Sequence, residues 1–170
     1  MMKYLEKLLA SADRSQFSLW KLNLVLRFII PFNRPLRIRI VSLTDSSIRV
    51  SLPHIRANFN HLRGLHACSM ATAAEFASGI LLLRRLQASR YRIIMKSMSV
   101  EYFYQGLHDA EVTLELDQAW FEEHVFSALT ASEPALVAVS PKVYDIDGNH
   151  LCTATLTWQI KDWRSVQTPV

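Results

Sequence analysis

Glycine is scarce in this chain, four in 170 residues. That excludes a glycine-rich loop cradling a phosphate. Cysteine is scarcer. Cys68 and Cys152 stand far apart and form no CxxC pair, so a disulfide framework is excluded and a reducing cytoplasm is the expected setting. The six histidines are scattered without HExxH spacing, which leaves no metal site to expect. Long apolar runs are missing too. Residues 17–32 are rich in Leu, Ile and Phe but contain Lys21 and Arg27, and they are shorter than the roughly 20 residues a spanning helix needs. The segment reads as an amphipathic helix packed on the domain, with peripheral membrane attachment as the alternative. Glu6 and Lys7 interrupt what would have to be the apolar core of a signal peptide.

What remains is an ordinary globular composition, 50% hydrophobic and 20% charged. The length suits one domain, 1–170, with a helical extension at 1–32 and a core at 36–161. Charge is unevenly spread. Residues 1–96 carry 16 of the 19 Lys and Arg but 4 of the 15 Asp and Glu, a balance of +12, and residues 97–170 carry −8. The acidic half offsets most of the basic excess. The simplest reading is two halves that face each other across a folded sheet or a dimer contact, and nucleic-acid binding is not expected.

Periodicity predicts helices at 2–12, with Leu5, Leu8 and Leu9 on one side, and at 16–30, ending before Pro31. Alternation predicts strands at 36–43 and 48–52 around an Asp45-Ser46-Ser47 turn. Residues 53–65 read as a loop. The longest helix, 66–86, is apolar nearly all round and rich in small residues, so it should be buried on most sides. Strands follow at 91–104, 108–116, 136–146 and 150–161, the last two joined by Asp147-Gly148-Asn149, with a short surface excursion at 118–130. The layout is α+β: one antiparallel sheet around a single central helix.

Asn60, His61, Gly64, His66 and Ala67 lead into a helix carrying Glu75. This stretch resembles the hot-dog thioesterase superfamily, in particular its phenylacetyl-CoA thioesterase-like branch. It is still more similar to an uncharacterised hot-dog family with an NHxGxxHA…E core and an N-terminal helix ending in Pro-Phe, here Pro31-Phe32. The spacings fit: six residues from Asn60 to His66 and nine from His66 to Glu75. The resemblance implies an antiparallel sheet wrapped around one long helix and sites shared between subunits. The implied substrate is a thioester of coenzyme A or of an acyl-carrier protein, with no cofactor beyond the substrate's own coenzyme A. Where the branch has Gly-Gly after its His, this chain has Ala67-Cys68. Ser97 is the nearest counterpart of the Ser or Thr of the following strand.

Glu75 is the lone ionisable side chain between Ala67 and Leu83. On a helix its neighbours are Ala71, Ser78, Gly79 and Leu82, small and mostly apolar, and desolvation there should raise its pKa. Such a carboxylate can act as a general base toward water or attack a thioester itself. The alternative is a structural ion pair with a strand cation such as Lys96. His66 stands at the helix start, where N–H groups near Ala67 and Cys68 lack intrahelical partners and can stabilise a developing oxyanion. Asn60 would orient water or the thioester, with Gly64 and Ser97 near the substrate.

Nine helical residues rise about 14 Å. His66 and Glu75 of one chain therefore cannot touch the same carbonyl, which predicts a homodimer, or a tetramer built from it, with sites shared between subunits. Arg84, Arg85, Arg90 and Arg92 are candidates for holding coenzyme A phosphates, or else a solvated helix end. The expected function is acyl-CoA hydrolysis. A non-catalytic acyl or acyl-CoA binding protein is the main alternative. A 3-hydroxyacyl dehydratase using His61 and Glu75 is the minor one.

Overall fold

The computed structural model describes residues 2–131 and 134–166. Two helices come first. Helix α1 (Met2–Ser11) buries Leu5, Leu8 and Leu9, one stripe at helical spacing. Helix α2 (Gln16–Ile29) starts at Ser15, whose hydroxyl accepts the N–H of Ser18, and buries Leu19, Leu22 and Leu26. It ends at a tight turn, Pro31–Asn33, because proline cannot continue the hydrogen-bond ladder.

Strand β1 covers Arg39–Leu43 rather than beginning at Leu36. Residues 34–37 form a turn with Arg37 at φ +54, and an extended strand cannot pass through that geometry. Strand β2 (Ser47–Leu52) completes the hairpin. Helix α3 (Ala67–Arg85) follows the 53–66 loop and buries eleven of its residues, Ala73, Ala77, Leu81 and Leu82 completely. Each fully buried leucine contributes about 1.5–3 kcal/mol of transfer free energy.

Strands β3 (Tyr91–Tyr102) and β4 (Ala110–Glu115) come next. The 118–130 excursion is helical: α4 (Gln118–Phe121), a π-helical turn (Glu122–Phe126) and α5 (Ser127–Ala131). It is anchored to the core by fully buried Phe121 and Val125. The single strand expected at 136–146 is two, β5 (Ala135–Val139) and β6 (Lys142–Asp145). Pro141 has no N–H for the ladder and separates them, while its carbonyl accepts the N–H of Ala154. Strand β7 (His150–Asp162) closes the sheet. Gly148 at φ +84 supplies the left-handed residue of the β6–β7 turn.

All strand pairs are antiparallel, in the order β1-β2-β4-β6-β7-β3, with β5 also pairing β7. The sheet wraps α3, the layout expected from the motif. Arg84 ties the extension to this core. Its guanidinium donates to Asp13 beyond α1, to Asp45 in the β1–β2 turn, and to the Leu9 carbonyl. Arg85 donates to Gln118 and lies over the Phe121 ring, and Arg90 pairs with Asp162. Three of the four arginines considered for coenzyme A are therefore held by the chain's own acceptors and rings. Arg49–Glu111 and Arg90–Asp162 join the basic and acidic halves.

Candidate active site

The loop before α3 is closed by its own polar groups. The Asn60 side-chain oxygen accepts the N–H groups of Leu62 and Gly64 at 2.9 and 3.0 Å, and the Asn60 N–H donates to the Gly64 carbonyl. This is a turn role, with the carboxamide oxygen spent locally. Gly64 is buried, and a Cβ there would stand 3.0 Å from the Gly106 carbonyl oxygen. The residue is glycine because two backbones meet. Beneath the loop, fully buried Asn58 donates to the carbonyls of Leu36 and Pro53, and its carbonyl receives the His66 N–H. Asn58 looked like any loop asparagine in the sequence, and its structural partners lie 5 and 22 residues away.

His66 is the N-cap of α3. Its Nδ1 accepts the Cys68 N–H at 3.1 Å, which places the ring proton on Nε2. One of the two N–H groups considered for an oxyanion is therefore engaged by His66 itself. The Ala67 N–H meets no acceptor among the described residues, and Ala67 is exposed at the positive end of the helix dipole. The Tyr102 hydroxyl donates to the Ala67 carbonyl at 3.0 Å, which brings β3 against the helix start. Burial raises the Tyr102 pKa, with smaller contributions from Cys152 and Cys68. Tyr102 was visible in the sequence only as the end of a strand, and no local signal marked this contact.

Glu75 stands two and a half turns further along α3, half-buried. It borders a cavity of about 190 Å³ whose other walls are apolar or glycine: Ile30 after α2, Ile93 of β3, Trp158 of β7, and Phe76, Gly79, Ile80 and Leu83 of α3. Among the described residues its carboxylate has no hydrogen-bond or ion-pair partner. The pairing with Lys96 is absent: Lys96 is exposed in a β3 bulge between Met95 and Ser97. Burial alone raises the Glu75 pKa above the ordinary carboxylate range. Gly79 makes room for the cavity's floor, since a Cβ there would stand 3.0 Å from the Trp158 ring. The Trp158 indole N–H donates to Ser78 and fixes the ring.

Ser97 pairs with Thr157, while Met95 and Met98 pair with the inward-facing Trp158 and Leu156. Alternation therefore puts Ser97 on the face of the sheet turned away from α3. His61 is exposed on the loop. Asn60, Gly64, His66, Ala67 and Cys68 gather at the start of α3, while Glu75 lies about 14 Å along the axis. Within one chain they form two separate groups.

An α3-like central helix wrapped by an antiparallel sheet defines a hot-dog protein, and the comparisons agree. A protein of unknown function from Pseudomonas aeruginosa, PA5026, described as a probable thioesterase, superposes with a TM-score of 0.75 at 20% identity, over 82% of this chain and 93% of that one. The thioesterase HI1161 of Haemophilus influenzae gives 0.70 at 11% identity, over 91% and 97%. A thioesterase family protein of Silicibacter pomeroyi gives 0.63 at 16%, over 80% and 93%. No curated protein sequence matches the chain significantly. The profile of the family described as "Domain of unknown function (DUF4442)" matches residues 19–160, and the chain belongs to that family.

Proposed function

We propose that this protein hydrolyses an acyl thioester, with Glu75 as the base, at sites shared between two copies of the chain. The observation that carries the reading is Glu75 itself, a carboxylate without a partner on an apolar cavity in the middle of the central helix. Solved structures of the same fold include named thioesterases. In the proposed step, the Glu75 carboxylate takes a proton from water and the water oxygen attacks the thioester carbonyl carbon. The negative charge gathers on the carbonyl oxygen, opposite the free Ala67 N–H of a partner's helix start. Collapse expels the thiolate, which takes up a proton and leaves as the thiol, and the acyl group departs as the acid. In this reading His66 Nε2–H orients the substrate, as does the Asn60 amide nitrogen, whose long contact to the Leu65 carbonyl at 3.5 Å would give way.

The second copy is supported by β3. Among the described residues this 12-residue strand pairs with β7 alone, and Ile94, Met95, Met98 and Tyr102 along it are exposed. A long, apolar, unpaired edge is a template for another strand. Antiparallel pairing with a second β3 would extend the sheet and bring two α3 helices together, giving a homodimer in a reducing, cytoplasmic compartment. The acyl carrier is coenzyme A or a carrier protein.

A second reading, a hot-dog protein that binds acyl thioesters without turning them over, is favoured by the caps at the helix start. The Asn60 oxygen and the Cys68 N–H are already engaged there. The test is a panel of acyl-CoA substrates against wild type and Glu75→Ala. Hydrolysis lowered by about 10²–10⁴-fold in the variant supports the base. Saturable binding without turnover in wild type supports the binding protein. Turnover equal in both removes Glu75 from the chemistry.

A further inference from the structure

A second cleft, of about 470 Å³, lies between α2, the 34–37 turn and the β1–β2 side of the sheet. Four arginines line it, Arg27, Arg34, Arg37 and Arg39. Among the described residues none of them meets a carboxylate at ion-pair distance, whereas Arg49, Arg84 and Arg90 each do. Arg34 rests 5.9 Å from the Phe28 ring. One acid, Asp109, also borders the cleft, and one of its carboxylate oxygens accepts the His54 N–H at 2.6 Å.

Asn33 supplies an independent sign. It lines the same cleft, is 8% exposed, and its buried side-chain Nδ2 has no acceptor among the described residues. A buried donor left unmet is costly, and the four exposed guanidiniums concentrate positive charge around one cleft. An anion with several acceptor oxygens relieves both. Guanidinium forks match phosphate oxygens in pairs, and the volume suits a small-molecule group. Trp20 and Leu24 form an apolar wall, so the anion would belong to a larger ligand with an apolar or ring portion.

We propose that this cleft binds a phosphate ester. Two sources share that chemistry. One is the nucleotide end of coenzyme A: Phe76 borders both this cleft and the Glu75 cavity, so the two share a lining residue. The other is a phospholipid headgroup, since Phe17, Trp20, Leu24 and Phe28 are exposed on α2 beside the cleft.

The experiment measures binding rather than turnover, so a failure of hydrolysis leaves it intact. Wild type and Arg34→Ala/Arg39→Ala, with folding checked by circular dichroism, are titrated with coenzyme A, inorganic phosphate and pantetheine. Both are also sedimented with vesicles of phosphatidylcholine alone or mixed with phosphatidylglycerol. At least one phosphate-bearing probe binds wild type, weakens with salt, and loses tenfold or more in the double variant, while pantetheine is unaffected by the substitutions. Loss confined to coenzyme A assigns the nucleotide, and loss confined to the anionic vesicles assigns the headgroup. Absence of binding by every phosphate-bearing probe, or equal binding by the two proteins, overturns the proposal.

Discussion

Glu75 and Arg84 stand nine residues apart on one helix, and the fold treats their charges in opposite ways. The Arg84 side chain is 3% exposed and has three acceptors drawn from α1, the turn after it and the β1–β2 hairpin. Glu75 is half-buried among apolar walls and has no hydrogen-bond or ion-pair partner among the described residues. A buried charge that is fully met holds parts of a structure together. One that is left unmet raises its own free energy and keeps its capacity to react or to take a ligand. The four arginines around the α2 cleft differ from Arg84 in both respects: they are exposed, and among the described residues none meets a carboxylate at ion-pair distance.

The largest effect expected on this comparison comes from Arg84→Ala. It removes the one side chain that joins Asp13, Asp45 and the Leu9 carbonyl, leaving that carbonyl the Ala12 N–H alone, and should cost about 2–3 kcal/mol in denaturant unfolding. A loss below about 0.5 kcal/mol would show that the extension is held by its leucines alone. Next is the pH profile of thioester hydrolysis. A base whose pKa is raised by burial must lose its proton before it can act. kcat/KM should therefore fall about tenfold per pH unit below an inflection that lies above the ordinary glutamate value of about 4.3. A profile flat through that region would break the link between the cavity and the chemistry.

Smallest is a gain in stability. The folded chain holds the Glu75 proton more tightly than the unfolded chain does. The carboxyl's contribution is therefore most favourable below the unfolded pKa and is lost as pH rises through the raised folded value. Glu75→Gln carries no such proton. It should match wild type in acid and exceed it at neutral pH, read as thermal midpoints across pH. No gain at neutral pH would mean that the carboxylate is well solvated in its cavity.

Much of the fold was legible because it rests on local periodicity. The stripe Leu5-Leu8-Leu9, the apolar length of α3 and the Asp147-Gly148-Asn149 turn each state their conformation within a few residues. Glu75 was legible as an acid out of place. The break at Pro141 was in the sequence as a residue without a ladder donor, yet the apolar alternation on both sides of it masked two strands as one. Arg84, Arg85, Arg90 and Arg92 read as either a phosphate patch or a solvated helix end, because acceptors such as Asp13, Asp45 and Asp162 lie far off in sequence. The α2 cleft was illegible for the same reason. Arg37 and Arg39 looked like one face of a strand, and only the turn at positive φ places them with Arg27, Arg34 and Asn33.

The sequence alone determined the central helix, the antiparallel strands around it and the acid at its middle, because helical and strand periods are written residue by residue. Tertiary structure decided which charges are satisfied. It bound Arg84, left Glu75 without a partner among the described residues, set Asn60 to closing a turn and His66 to capping α3, and gathered four arginines around one cleft. Ion pairs and desolvation depend on distances across the fold, and those exist only once the sheet has closed around the helix.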